Sequence, residues 1–561
     1  MNHCRKIEYL KVFLNHNFNK TNMKLIKLTY LSLIAALTLS LSANAQSTQK
    51  VAVAKKGALT ENELKRWSHL DLDKDSIPGM SVDKVYSELL KGKTSTPVIV
   101  GIVDSGVDIE HEDLKSVIWT NKKEIPGNKI DDDKNGYVDD IHGWNFLGNI
   151  TKENLEYERI LMDKKLVDET TYLKAKAIND GKIEEANQTK FQIELALNGT
   201  KKADEKLAKL LGKPTYTAEE LDAIDSKDPE VVQSIAIMKQ MLAYGLSVAD
   251  LKKEIEKELE SYIKVQSGEN LKTNYRKILG DNPDNIKDTK YGDNNVMGPD
   301  KEEILHGTHV AGIVAQVRNN KFGGDGIANN VQILTVRAVP DGDEYDKDIA
   351  LGIRYAVDNG AKIINGSFGK AFSPHKQWVY DAIKYAESKD VLIVHAAGND
   401  AKDIDKEDNY PNDSDDKKTE FADNMITVGA LNYEYGTNVV ADFSNYGKLN
   451  VDVFAPGVKI YASTPNNTYQ FLQGTSMASP NVAGVAALIR SYYPTLTAKQ
   501  VKHILMESGT AITTSVAVGG DPEKSRLFSE LSQSGRMVNA YNAMVMAEKL
   551  AKKPAPVKIK G

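Results

Sequence analysis

A carboxylate, an imidazole and a hydroxyl stand in three separate words of this 561-residue chain: VDSGVD around Asp104, HGTHVAG from His306 and GTSMASP around Ser476. Together they are the parts of a serine nucleophile, the base that takes its proton and the acid that orients the base. Small residues surround each one and let backbone pack tightly beside it. Each also has a plainer reading. Ser476 opens an apolar stretch that ends before Pro494, which suits a helix N-cap. His306 and His309 stand three apart, where two imidazoles can share a metal, although no Glu or Cys accompanies them in the HExxH manner. Asp108 and Asp113 are the nearby alternatives to Asp104.

The elements that must position these groups follow from hydrophobic pattern. VIVGIV at 98–103 is apolar without interruption and runs straight into Asp104, as in a strand buried on both faces. The same pattern recurs at 331–339, 361–369 and 391–399, with helical stretches at 348–357 and 375–388 between. Strands alternating with helices predict an α/β fold with a doubly wound, mostly parallel sheet, and functional residues at the carboxyl ends of its strands. Between 150 and 290 the chain instead is dense in Lys, Glu and Asp. Ala203, Leu207, Leu210 and Leu211 form one helical stripe, Leu251, Ile255, Leu259 and Ile263 another, and Thr217 with Glu220 makes a capping box. This predicts an inserted helical subdomain, read either as a solvated arm or as a gate or docking site.

These words resemble the subtilisin-like serine peptidases, the subtilases, in the chain order Asp, His, Ser; the GxSxG elbow of α/β-hydrolases is absent around Ser476. The resemblance implies a subtilisin-like fold over 96–149 and 291–548, with the helical insertion at 150–290. It implies serine endopeptidase chemistry: Ser476 as nucleophile, His306 as base, Asp104 as its orienter and the Asn399 amide of HAAGND in the oxyanion hole. It further implies that Ser367, Phe368, Gly369, Ala397 and Gly398 wall the primary substrate pocket, and that 339–342 is an edge strand pairing with extended polypeptide, hence broad specificity. Asp400, Glu407 and Asp408 stand where they would favour a basic residue, or are solvated surface acids. Tyr410-Pro411 matches a turn in which a cis peptide is expected. Two rivals stay open: a binding protein on a catalytically weak subtilase fold that works through its insertion, and an ester-specific hydrolase.

No catalytic cofactor is implied, but structural calcium is. Asp131, Asp133 and Asn135 in DDDKNGYVDD have the D-x-D-x-N-G spacing of calcium loops, with His142 where an EF-hand has its Glu, and Asp139 or Asp140 as further candidates. An acidic turn is the alternative. By resemblance Asp113, with the loop 317–324, forms a second calcium site.

Net charge of -6 with 41% hydrophobic and 27% charged residues excludes a basic nucleic-acid surface and describes an ordinary globular protein; a monomer is expected, with the insertion as a candidate place for partner docking. Lys24 and Lys27, the apolar run 28–41 and Ala43-Asn44-Ala45 make a signal peptide over 23–45, which predicts export to the periplasm or the extracellular space. Residues 1–22 read as a mis-assigned leader, 46–95 as an N-terminal extension shorter than a compact prodomain, and the Lys- and Pro-rich 549–561 as a disordered tail. The single cysteine, Cys4, lies in the leader, so a chain starting near Gln46 has no disulfides. No other apolar run is long enough to span a bilayer.

Overall fold

A computed structural model describes residues 55, 57–242 and 248–552. The expected leader, signal peptide and most of the tail lie outside the described residues. Among the described residues no helix is long and apolar enough to cross a membrane. The chain divides into two compact units, Tyr157–Thr273 and a larger unit formed by the flanking sequence on both sides.

The larger unit is built on a nine-stranded sheet. Its first seven strands are β1 (Val98–Asp104), β2 (Gly143–Asn145), β3 (Val331–Arg337), β4 (Ile363–Gly366), β5 (Leu392–Ala396), β6 (Met425–Leu431) and β7 (Val453–Pro456). All pair in parallel. A hairpin of β8 (Ile460–Thr464) and β9 (Thr468–Leu472) and another of β11 (Ser515–Val518) and β12 (Asp521–Leu527) stand outside the sheet. β10 (Thr510–Ala511) and β13 (Arg536–Met537) complete it, in the order β10-β13-β7-β6-β5-β4-β1-β3-β2. The apolar runs predicted as strands are all present: 98–103 gains Asp104, while 331–339, 361–369 and 391–399 are shorter by two, five and four residues.

Alternation along each strand feeds two cores. Val100, Ile102 and Ile363 face helices Leu305–Ala315, Thr475–Tyr492, Ala498–Ser508 and Ala540–Ala551. Val103, Ile364 and Ile393 face helices Asp346–Asp358 and Lys376–Ser388. Helices therefore cover both faces, as expected of a doubly wound sheet. The last of them reaches Ala551, past the boundary at which a tail was expected.

The segment expected as a bare N-terminal extension is part of this unit. Trp67, Ile77, Met80, Val82 and Val85 are fully buried in the first core, Trp67 Nε1 donates to Val458 O at 3.0 Å, and Ala540 N donates to Met80 O at 2.7 Å.

The helical unit is narrower than the predicted 150–290. Residues 150–156 and 274–290 pack with the sheet: Arg276 is buried between Asp281 and Asp348, and Lys347 bonds Asp281. Such a buried ionic frame is invisible to a pattern based on apolar residues. Within Tyr157–Thr273, a 43-residue helix, Glu169–Leu211, is followed by helices Pro229–Leu242 and Val248–Ser267. Ala203, Leu207, Leu221, Val231 and Met238 form its core, and the Thr217/Glu220 capping box is present. Leu210 is exposed rather than on the buried stripe. Of the second stripe, Ile255 is buried and Ile263 exposed.

Candidate active site

Asp104 is the last residue of β1, almost fully buried by the apolar run that precedes it. Its Oδ1 accepts from Ser105 N at 2.8 Å and from His306 Nδ1 at 2.6 Å. His306 is the second residue of helix Leu305–Ala315, and Gly307 explains how the helix comes so close. A Cβ there would stand 2.1 Å from Gly106 O and 3.1 Å from Asp104 Oδ1. Burial acts to lower the His306 pKa, but the Asp104 carboxylate and its hydrogen bond outweigh it and hold the pKa above 6.5. With Nδ1-H donating to the carboxylate, the Nε2 lone pair faces outward from a ring that remains 37% exposed.

His309, one turn on, is different. It is fully buried, its Nε2-H donates to Ile460 O and Gln470 O at 3.1 Å, and burial pushes its pKa down to about 4. With Nε2 spent on the β8–β9 hairpin, the two histidines do not converge on a metal.

Ser476 is the second residue of helix Thr475–Tyr492, whose N-cap is Gly474 at φ +149, so Ser476 does not cap the helix. Its hydroxyl donates to Ser367 O at 3.2 Å, and the Ser367 hydroxyl donates to Ser476 O at 2.9 Å. Among the described residues, Ser367 is the partner of the Ser476 hydroxyl and His306 is not hydrogen-bonded to it. Register links the two halves. β1 and β4 pair with Val103 opposite Gly366, so Asp104 and Ser367 follow at neighbouring strand ends.

Asn399 follows β5, the next strand over. Its Oδ1 accepts from Thr475 N at 2.8 Å and from Thr475 Oγ1 at 2.9 Å. Anchoring the oxygen leaves the Nδ2 donor with no protein partner among the described residues, and it lies 3.5 Å from a Cβ built on Gly474, beside the serine. The frame behind it was missed in sequence. Asn445 donates from Nδ2 to Ala397 O and accepts at Oδ1 from Asp400 N and Lys402 N; Ser479 Oγ donates to Asn365 Oδ1, whose Nδ2 donates to Ser367 Oγ. Asn365 lies in the apolar run 361–369 and Ser479 in GTSMASP, but nothing in their spacing marks that pairing.

Ser367, Phe368 and Gly369 extend from β4, and Ala397 and Gly398 from β5, so two of the predicted wall segments are neighbours in the sheet. His395 Nε2-H donates to Phe368 O at 2.8 Å and binds the two together. Tyr410-Pro411 is cis. Asp408 is paired with Lys417 at 2.8 Å, while Asp400 and Glu407 are exposed.

Asp113 is fully buried. Its Oδ1 accepts from Val317 N at 3.1 Å and from Asn320 Nδ2, both in the loop singled out with it, while Oδ2 is buried without a partner. In the acidic loop, Asp131 and Asp133 converge with Glu124, which the motif did not include, to within 4.8 Å. Asn135 instead uses Oδ1 to accept from Tyr137 N and Nδ2 to donate to Asp140, and Asp140 is further bound to Tyr355 at 2.6 Å. Asp139 accepts from Gly127 N and Lys129 N.

Sequence comparison agrees with this geometry. A profile of the Subtilase family matches residues 95–528. The chain is 43% identical over 187 residues to a thermophilic serine proteinase of Bacillus sp. (strain AK1), 33% of this chain and 42% of that protein. It is 38% identical over 218 residues to subtilisin DY of Bacillus licheniformis, 38% of this chain and 73% of that protein. To thermitase of Thermoactinomyces vulgaris it is 40% identical over 187 residues, 33% of this chain and 61% of that protein. The chain thus spans less than two thirds of two of these three relatives. With a profile match extending from just before β1 to the end of β12, and a parallel sheet that brings the three motif words to one edge, this chain belongs to the subtilase family.

Proposed function

We propose that this protein is a serine endopeptidase that cleaves polypeptides with broad specificity. The observation that carries it is the 2.6 Å contact between buried Asp104 and His306, on the same strand-end edge as the Ser476–Asn399 frame. His306 Nε2 takes the Ser476 proton as Oγ attacks the peptide carbonyl, and Asp104 stabilises the imidazolium that forms. The carbonyl oxygen, now negative, is held by Asn399 Nδ2 and by backbone N-H at the start of the serine helix, where the helix dipole is also favourable. His306 returns the proton to the leaving amine, and water then attacks the acyl-enzyme by the same route. Extended substrate pairs with the backbone at 339–342 and at Ser367–Gly369, which reads no particular side chain.

Residues 23–45 direct export, to the periplasm or the extracellular space, and the mature protein acts as a monomer. Helical unit Tyr157–Thr273 is an insertion in the subtilase fold, with partner docking as its role. Calcium suits Asp113, whose orphaned buried oxygen faces the need for a cation with the 317–324 loop, and suits the Glu124, Asp131 and Asp133 cluster; in either place it would brace loops and take no part in the reaction.

The test is covalent labelling with a fluorophosphonate together with peptide hydrolysis by the purified protein and by Ser476→Ala. Labelling and cleavage that vanish in the variant are expected. A folded wild-type protein that does not label favours the binding-protein reading, and hydrolysis of esters without peptides favours the ester-specific one.

A further inference from the structure

Two stretches border the space assigned to extended substrate: 339–342, which runs on into Asp343 and Glu344, and Ser367–Gly369, which runs on into Lys370. A segment that catalysis does not require ties them together. Thr151–Glu153, on the way from β2 to the helical unit, forms a parallel bridge with Asp341: Asp341 N donates to Thr151 O and Glu153 N donates to Asp341 O, both at 2.8 Å. Gly342, at φ +124, permits this approach, since a Cβ there would stand 2.2 Å from Glu153 O. Asp341 thus spends both backbone groups on this bridge, and the carbonyl of Pro340 and the backbone groups of Gly342, which alternate in direction with it, are left for the opposite edge.

Three residues further on, Glu156 opens helix Glu156–Met162. Its N-H donates to Asp343 Oδ2 at 2.7 Å, and its Oε2 accepts from Lys370 Nζ at 2.6 Å. The same ammonium donates to Glu344 O at 2.7 Å and lies 2.9 Å from Asp346 Oδ1. Lys370 directly follows Gly369, so one cation grips both flanks at once. Both side chains of the pair are buried. A charge-assisted bond shielded from water holds its partners at a fixed separation, because no solvent contact replaces it when they part.

We propose that the Glu156–Lys370 strap sets the width of the peptide cleft. Lys370 is then a positioning residue for extended substrates, and Glu156, at the end of the sheet unit's first stretch, is part of the cleft's frame. This rests on the peptidase reading above and on Ser367–Gly369 as a substrate wall. The strap bears on residues distant from the scissile bond, whereas a small probe reaching only Ser476 and Asn399 is indifferent to it.

The full-length protein, Lys370→Met and Lys370→Arg are compared by fluorophosphonate labelling and by kinetics on a hexapeptide long enough to fill the cleft. In Lys370→Met the hexapeptide KM is expected to rise about tenfold while kcat and the labelling rate stay within about twofold. Lys370→Arg, whose guanidinium still reaches Glu156 and Glu344 O, is expected to recover most of that KM. An unchanged KM in Lys370→Met overturns the strap, and so does a parallel fall of labelling and hydrolysis, which marks a structural pair only. A wild-type protein that neither labels nor cleaves overturns the peptidase reading itself, and the strap with it.

Discussion

Acidification should destabilise the sheet unit through the buried ring of His309. Its ring is fully buried, with Nε2-H on two carbonyls and Nδ1 without a donor, and its pKa falls from 6.5 to about 4. The unfolded chain therefore binds this proton more readily than the folded one. His309's contribution is complete above about pH 6.5, declines as the pH falls, and is lost once it passes below about 4. A difference of 2.5 units at about 1.36 kcal/mol each is about 3 kcal/mol. Buried carboxylates act in the opposite sense: burial raises Glu344 to about 7 and Asp452 to about 6, so the raw pH dependence mixes both signs. His309→Gln isolates the histidine, since its amide keeps a donor for the carbonyls and does not titrate. In a Ser476→Ala background that prevents self-digestion, urea unfolding is followed by tryptophan fluorescence at several pH values between 7.5 and 4. All four tryptophans, Trp67, Trp119, Trp144 and Trp378, lie in the sheet unit, so the signal reports that unit. The stability difference between parent and variant should shrink by about 3 kcal/mol from pH 7.5 to 4. A difference that stays constant across that range refutes the reasoning.

Asn399→Ala should lower kcat by ~10²–10³ with little change in KM, the magnitude known for loss of the corresponding donor in subtilisin; equal losses for substrate binding and turnover would speak against an oxyanion role. The kcat/KM profile should rise with pH through an inflection above 6.5, because His306 must be neutral to accept the proton and Asp104 holds its pKa up; an inflection at or below 6.5 contradicts this coupling. Gly307→Ala should abolish hydrolysis while leaving the fold's circular dichroism intact, since its methyl meets Gly106 O and must push the histidine helix off Asp104. A chelator should lower the temperature of half-inactivation, and Asp113→Asn should blunt that effect; identical curves with and without chelator remove calcium from this account.

Much of this was legible in the sequence because the relevant signals are local. An apolar run that ends on Asp104 announces both a buried strand and the residue at its mouth, and the words around His306 and Ser476 carry the small residues that close packing needs. Asn399 was legible for the same reason, at the end of a strand. What escaped depends on long-range pairing. Asn445 frames the Asn399 loop from 46 residues away without a motif of its own. Glu124 joins the acidic loop across a turn, and Asn135, which the spacing put among the calcium ligands, spends its side chain on local hydrogen bonds. The structural boundary lies at Tyr157 rather than near 150 because Glu153, Asn154 and Glu156 are polar yet buried, with Glu156 held by Lys370 and the backbone of 151–153 by Asp341, a signal that apolar periodicity does not carry. The N-terminal segment looked like a bare extension because its buried residues are scattered among short turns that show no period.

The sheet also imposes a sequence of events on synthesis. β13 enters between β7 and β10, and Ala540 N closes onto Met80 O, so the first and last parts of the unit meet each other. A growing chain contains Asp104, His306 and Ser476 well before residues 536–540 exist. During that interval the serine helix lacks the layer formed by helix Ala540–Ala551, and Trp67 and Met80 have no complete core to enter. The sheet unit that carries Asp104, His306 and Ser476 is therefore packed only once residues 536–551 have joined it, well after the serine word itself has been made.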